Sequence, residues 1–351
     1  MKDKKYISLY KGIKEKILSG EYRHGEKLPS KRVVANMTGY SLITVENAYR
    51  MLIDEGYITS REKSGYFVEV SDIVPENESI SISPLVLLPE EENSIDSGEF
   101  ASSVWCKTVR KVLSEKGKEL FVKSPPKGCA ALRNAIAEYL LRYRRMYADP
   151  KRIVIGSGAE SLYEAAIRTL GREKKYGIED PCYSQITTVY EGLGVKVEKL
   201  PMAKDGIEST CLQNANIGVL HVTPFHSYPS GVTATASKRH EYLSWAKQNG
   251  AFIIEDDFDS EFFIPGNPID SLYSLDKSDS VIYINTFSKS LSPSFRMGYM
   301  ILPERLMMRY DEIMGKYSCT VPMLEQYTLA EFISSGSFER HLNRVRRKNA
   351  K

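Results

Sequence analysis

Apolar residues recur along the first seventy positions with a helical period. Ile7, Tyr10, Ile13, Ile17 and Leu18 fall on one face of a helix that Gly20 ends. Ser30 offers a cap for a short helix over 31–37, closed by Gly39. Ser41 caps a third helix that carries Val45, Ala48, Tyr49, Leu52 and Ile53 and closes at Gly56. The spacing then shortens, and 57–60 and 66–70 read as strands around a Lys63-Ser64-Gly65 turn. Residues 71–95 bring Pro, Ser, Glu and Asn with no sustained period, which predicts a linker bearing a short apolar patch at 85–88. Beyond it, apolar runs at 153–155, 176–179, 195–200, 217–222, 251–255 and 281–285 read as strands. Helical patterns such as 159–170 and 237–248 lie between them. The alternation predicts an α/β domain with a mostly parallel sheet.

The first block has the layout of a winged helix-turn-helix: helix, short helix, short turn, helix, hairpin. Its third helix would enter a DNA major groove and its hairpin would be the wing. Arg32, Ser41, Thr44 and Asn47 then face DNA, with Lys31 and Lys63 near phosphates and Ser30 and Gly65 completing the interface. A small helical interaction domain, with the same residues as caps and surface, is the competing reading. Charge favours the first. Residues 1–70 hold 13 Lys/Arg against 9 Asp/Glu, whereas the remaining residues hold 35 against 36.

Length and composition narrow the function classes. The 351 residues exceed one ordinary domain of roughly 100–200 residues, so at least two are expected: 1–70, and 96–351 after the linker. An apolar share of 42% with 26% charged residues and a net charge of +3 excludes a disordered chain and a strongly basic coat protein. No apolar run approaches the ~18 residues of a membrane helix, and the first residues lack an apolar signal core, which together predict a cytoplasmic protein. The five Cys form no CxxC pair and the five His no HxxxH or HExxH pair, so no metal site is expected.

In open α/β sheets, ligands bind at the carboxyl ends of the strands. Gly156-Ser157-Gly158 follows one strand and opens a helix, where backbone N–H groups suit a phosphate. Asp256 and Asp257 end another strand. Thr286-Phe287-Ser288-Lys289 ends the next, with Arg296 seven residues on. A Lys near a carboxylate and a phosphate cup suits a Schiff base with pyridoxal phosphate (PLP). Arg296 offers the phosphate a fork of donors.

Two stretches carry a family resemblance. "GEYRHGEKLPSKRVVANMTGYSLITVENAYRMLIDEGYITSREKSGYFV" resembles the winged-helix head of GntR-type bacterial regulators. "VIGSGAESL", "IEDPCYSQ", "HVTPFHSYPSGVT", "FIIEDDFDSEF", "INTFSKSLSPSFRMGYMILP" and "PMLEQYTLAEFISSGSFERHLNRVRR" together resemble the fold-type I aminotransferase domain of MocR/GabR-type regulators. This second resemblance covers about 96–348. It implies that Lys289 is the PLP-binding Lys, Asp256 the partner of the ring nitrogen and Tyr183 the residue stacked on the ring. Ser157, Gly158, Ala159, Thr286, Ser288 and Arg296 would line the phosphate site. The two resemblances imply binding to double-stranded operator DNA, with PLP and an amino acid or amine as effector, and the limited specificity of one short winged helix predicts a homodimer on paired half-sites.

The chain departs from the family at defined points. Leu42 stands where an Arg often follows the capping Ser. Phe258 replaces a Tyr whose hydroxyl reaches the ring oxygen. Ala159-Glu160 replaces a Ser/Thr–Gln pair at the phosphate cup, and Gln185 and Tyr228 replace an active-site Arg and Asn. The sequence ends in "HLNRVRRKNAK", before the small domain that supplies a carboxylate-gripping Arg in relatives, which predicts a truncated aminotransferase-like domain. A regulator that uses the domain as a sensor is therefore expected. A working PLP-dependent aminotransferase, and a DNA-binding dimer with a remnant PLP site, are the alternatives.

Overall fold

The structure is a computed structural model that describes residues 5–62, 64–70, 100–262 and 270–349. Lys63, the expected linker at 71–95 and its apolar patch lie outside the described residues. The chain divides into two compact units, residues 1–91 and 92–351.

The smaller unit contains α1 (Lys5–Leu18), β1 (Lys27–Leu28), α2 (Lys31–Thr38), α3 (Leu42–Asp54), β2 (Ile58–Arg61) and β3 (Gly65–Val68). Helical spacing puts Tyr10, Ile13 and Ile17 of α1 against Val45, Ala48, Tyr49 and Leu52 of α3, and Ile58 and Val68 of the hairpin close this core. Tyr49 is fully buried, and its hydroxyl donates to the Pro29 carbonyl at 2.7 Å, so the ring is buried without an orphaned polar atom. The turn between α2 and α3 needs Gly39, which sits at φ 67 in the left-handed region. The hairpin pairs antiparallel from Ile58↔Val68 to Arg61↔Gly65. A third strand, β1, pairs with β3 and was not expected: two residues are too short to carry a period.

The larger unit begins with α4 (Ser102–Lys116) and α5 (Ala130–Arg144). Strands and helices then alternate: β4 (Ile153–Gly156), α6 (Ala159–Leu170), β5 (Lys175–Asp180), α7 (Ser184–Gly192), β6 (Lys196–Ala203), β7 (Gly206–Ile207), α8 (Ser209–Asn214), β8 (Val219–Val222), α9 (Ala236–Asn249), β9 (Phe252–Asp256), α10 (Leu272–Leu275), β10 (Val281–Thr286) and β11 (Gly298–Ile301). Helices α11 (Glu304–Met314), α12 (Met323–Ser334) and α13 (Ser337–Asn349) follow. The eight-stranded sheet has the order β4-β11-β10-β9-β8-β5-β6-β7. Neighbours from β10 to β6 run parallel, while β11 is antiparallel to both β4 and β10. This is the mostly parallel α/β sheet expected, with β11 and β7 added.

The strands read as continuous apolar runs because helices cover both faces. Ile153 and Ile155 of β4 join a core with α5 and α12, whereas Val154 between them joins a second core with Leu162 and Tyr163 of α6. In β10, Tyr283 faces the first core and Ile282 and Ile284 face the second. The parallel strands all end on one side, and the candidate chemistry gathers there.

Candidate functional site

The smaller unit presents the face expected to meet DNA. Ser30 and Ser41 cap α2 and α3, their hydroxyls accepting from Val33 N–H at 3.4 Å and Thr44 N–H at 3.3 Å. Ser41 and Thr44 also share a hydroxyl hydrogen bond of 2.9 Å. Arg32 is exposed in the first turn of α2, and Asn47 is half-buried on α3. Lys31 is engaged: its ammonium lies 2.8 Å from Glu46, a bond that raises its pKa and ties α2 to α3. Gly65 opens β3 at φ 117, where an added Cβ would meet the Lys27 chain at 3.0 Å.

In the larger unit, a cleft of about 390 Å³ opens at the carboxyl ends of the strands. Ala159 and Glu160 enter it after β4, Tyr183 after β5 and Thr223 after β8. Asp256 closes β9, Thr286 closes β10 with Ser288 just beyond, and Arg296 precedes β11. These local sequences converge because the parallel sheet stacks their strand ends.

Asp256 is the buried charge of this cleft. Its Oδ2 accepts from the Tyr163 hydroxyl, and His221 Nε2 stands 3.9 Å from the same oxygen. The Tyr190 hydroxyl and His221 Nδ1 are 2.7 Å apart. Burial, and then the charge of Asp256, raise the Tyr163 pKa. Oδ1 of Asp256 is buried and has no hydrogen-bond partner among the described residues. An acceptor left unsatisfied in a cleft is suited to a ligand N–H donor. Tyr163 and His221 were not anticipated from sequence; Tyr163 looks there like one more core residue of an amphipathic helix.

The anion end is built from α6 and Arg296. Gly158 precedes α6 at φ 92, and a Cβ there would lie 3.3 Å from the Arg296 guanidinium, so only glycine lets the two approach. Arg296 binds Glu160 at 3.3 Å. A carboxylate thus already occupies the cation expected to receive a phosphate. Ser157 does not line the cleft; its hydroxyl accepts from Thr320 at 2.9 Å.

Lys289 does not line the cleft. Its ammonium binds Asp259 at 2.6 Å and lies 5.1 Å from the centre of the Phe258 ring, which does line the cleft. The other oxygen of Asp259 is 2.6 Å from His226 Nδ1. Neither Asp259 nor His226 was singled out in the sequence. Tyr183 sits edge-on to Tyr228, ring centres 6.1 Å apart, and the two line one side of the cleft. Asp257 points away and is held by Arg144 at 3.0 Å and Tyr283 at 2.6 Å. Glu179, near the end of β5, accepts from the Ser227 hydroxyl at 2.6 Å and Thr223 N–H at 3.1 Å, and burial pushes its pKa up to about 8. Among the described residues no cluster of His, Cys, Asp and Glu is arranged to hold a metal, and no helix is long and apolar enough to cross a membrane.

The arrangement suits a flat heteroaromatic ligand with an N–H toward Asp256, an anion toward Arg296 and a carbonyl within reach of Lys289. Known proteins agree with both halves. Residues 5–68 match the bacterial regulatory proteins of the gntR family, and residues 83–350 match the aminotransferase class I and II family. The uncharacterized HTH-type transcriptional regulator YdeL of Bacillus subtilis is 36% identical, over 97% of this chain and 76% of its own. The pyridoxine biosynthesis transcriptional regulator PdxR of Corynebacterium glutamicum is 29% identical, over 95% of this chain and 74% of its own. The probable rhizopine catabolism regulatory protein MocR of Rhizobium meliloti is 29% identical, over 97% and 73%. Among solved structures, an archaeal alanine:glyoxylate aminotransferase superposes with a TM-score of 0.65 at 25% identity, over 70% of this chain and 63% of that one. LysN, an alpha-aminoadipate aminotransferase of Thermus thermophilus complexed with N-(5'-phosphopyridoxyl)-L-leucine, gives 0.63 at 25%, over 72% and 65%. The chain thus spans less than two thirds of the length of either solved structure.

Proposed function

The chain belongs to the MocR-type transcriptional regulators, in which a gntR-family winged helix is joined to an aminotransferase class I and II domain, and from that premise we propose that the cleft senses PLP. The observation that carries the proposal is the partnerless Asp256 Oδ1 in a cleft that also collects Arg296 and the start of α6. The residues fit PLP at its ring, since a buried carboxylate oxygen awaits an N–H donor. They fit at the phosphate through Arg296 and the α6 N-terminus, with Glu160 as the one opposing group.

Asp256 keeps the ring nitrogen protonated, and Tyr163 and His221 fix its orientation. Tyr183 covers a ring face. Arg296 and the N–H groups of α6 bind the phosphate. Lys289 would hold the ligand at its carbonyl, and Asp259, 2.6 Å from its ammonium, would be placed to take up the proton that it must give up. PLP supplies an electrophilic aldehyde and an electron-withdrawing ring when bound. Phe258 provides apolar contact where a hydroxyl would tune reactivity, which suits ligand sensing better than turnover. An amino acid or amine entering the same cleft would be the effector that alters how a homodimer holds operator DNA in the cytoplasm. Two heads multiply the limited specificity of one short recognition helix.

The test is a PLP titration followed by visible absorbance, with Lys289→Ala alongside and operator binding measured on both. A band lost in the variant, with DNA binding kept, is expected. Steady multiple turnover with an amino acid panel would instead establish an aminotransferase. A second reading, a DNA-binding dimer with a vestigial cleft, draws on the ion pairs that occupy Arg296 and Lys289. It is supported if no band forms while operator binding as a dimer persists.

A further inference from the structure

The first turn of α3 exposes two aliphatic side chains. Val45, Ala48, Tyr49 and Leu52 are at most 1% exposed and fix the buried face. Ile43 is on the opposite side and 71% exposed, and Leu42, 47% exposed, flanks the buried face at the helix's first position. From Ile43 the same stripe continues through Asn47 and Arg50 at helical spacing.

In a helix-turn-helix, the N-terminal residues of the second helix are those that reach base edges. Here that turn offers a guanine one hydroxyl hydrogen at most, and its large exposed side chains are aliphatic. The Ser41 and Thr44 hydroxyls are bonded to each other and to the cap, and Glu46 is held by Lys31 at 2.8 Å. In the major groove only thymine displays an apolar group, its C5-methyl. We propose that Leu42 and Ile43 read thymine methyl groups in the operator half-site. The inference rests on the DNA-binding reading and adds the base chemistry that the head prefers. Asn47, one turn further along, then meets the next step, where its amide suits an adenine.

The experiment selects binding sites for the full chain from random duplex DNA, then replaces each thymine of the selected site by deoxyuridine, which differs only by that methyl. One or two positions per half-site are expected to lose about three- to fourfold in affinity each, the effect of exposing one methyl group. Leu42→Ala and Ile43→Ala should each erase the deoxyuridine effect at the position that residue reads, and the double variant should bind the thymine and deoxyuridine duplexes alike. Both side chains are exposed, and unchanged circular dichroism and melting of the variants confirm their fold. Salt-sensitive, sequence-selective binding with no deoxyuridine effect overturns the methyl readout and leaves the DNA-binding reading intact. A deoxyuridine effect that survives in the Leu42→Ala/Ile43→Ala double variant overturns the assignment to these two residues. Failure to bind any duplex overturns the inference together with the reading beneath it.

Discussion

At Glu160 and Glu179, single carboxyl groups set opposite features of the cleft. Glu160 neutralises Arg296 at 3.3 Å, and both side chains are about half exposed, so their mutual attraction is modest. A phosphate in the same cup carries two charges and meets the Glu160 repulsion in full. Glu160→Gln is therefore expected to tighten PLP binding by roughly three- to tenfold at about 0.1 M salt, and less at 1 M. Equal PLP titration curves for the two proteins would mean that Glu160 swings clear when the phosphate enters. Glu179 acts on stability instead. Its folded-state pKa of about 8 lies above the ordinary value of 4.5, with burial as the main cause and the hydrogen bonds from Ser227 and Thr223 opposing it. The folded chain thus holds a proton there that the unfolded chain releases near pH 4.5. The stabilisation is complete below that pH and fades as pH rises through 8. Buried Glu255, also pushed up to about 8, acts in the same direction. Glu179→Gln keeps the shape and cannot ionise, so it should lose less stability than the parent between pH 6 and pH 9. Chemical denaturation at both pH values checks this, and parallel losses would refute it.

The elements that carry function start at caps. Ser41 binds both the N–H and the hydroxyl of Thr44, fixing the first turn of α3. Ser41→Ala should cost about 1 kcal/mol, or roughly 4–8 °C in the melting midpoint of a unit this size. The loss should be confined to the smaller unit, and an unchanged midpoint would show that tertiary packing alone holds that turn. Legibility in the sequence follows the same logic of local signals. The bounds of α6 were readable because Gly158 and Gly171 punctuate an amphipathic run, and α2 because Ser30 and Gly39 bracket it. The strands covered on both faces were readable as apolar runs. Strand β11 was not, because Gly298–Ile301 is a four-residue run opened by a glycine, and it owes its place to antiparallel pairing with β10 and with β4, the latter far along the chain. At the site, the strand-end residues Asp256, Thr286, Ser288 and Arg296 were legible from their order. Their partners were not: Tyr163 meets Asp256 across 93 positions, and Asp259 meets Lys289 through a fold of the chain that no spacing encodes.

For the whole molecule, the division of cores matters most. The core of the smaller unit draws only on residues between Tyr10 and Val68, while the three cores of the larger unit draw only on residues between Cys129 and Leu342. Each unit thus has a core of its own and the means to melt on its own. Calorimetry of the full chain is expected to show two transitions. PLP at 100 times its dissociation constant should stabilise only the larger unit, by about 2.7 kcal/mol, and operator DNA only the smaller. Lys289→Ala should abolish the first shift and spare the second. A regulator must depart from strict independence by a measurable amount. If PLP changes operator affinity by some factor, operator must change PLP affinity by the same factor. The PLP-induced shift of the larger transition, measured with and without operator, therefore reads the regulatory coupling directly. Identical shifts would mean that PLP binding does not reach the DNA-binding head, and the sensor reading would fall even with a fully formed cleft.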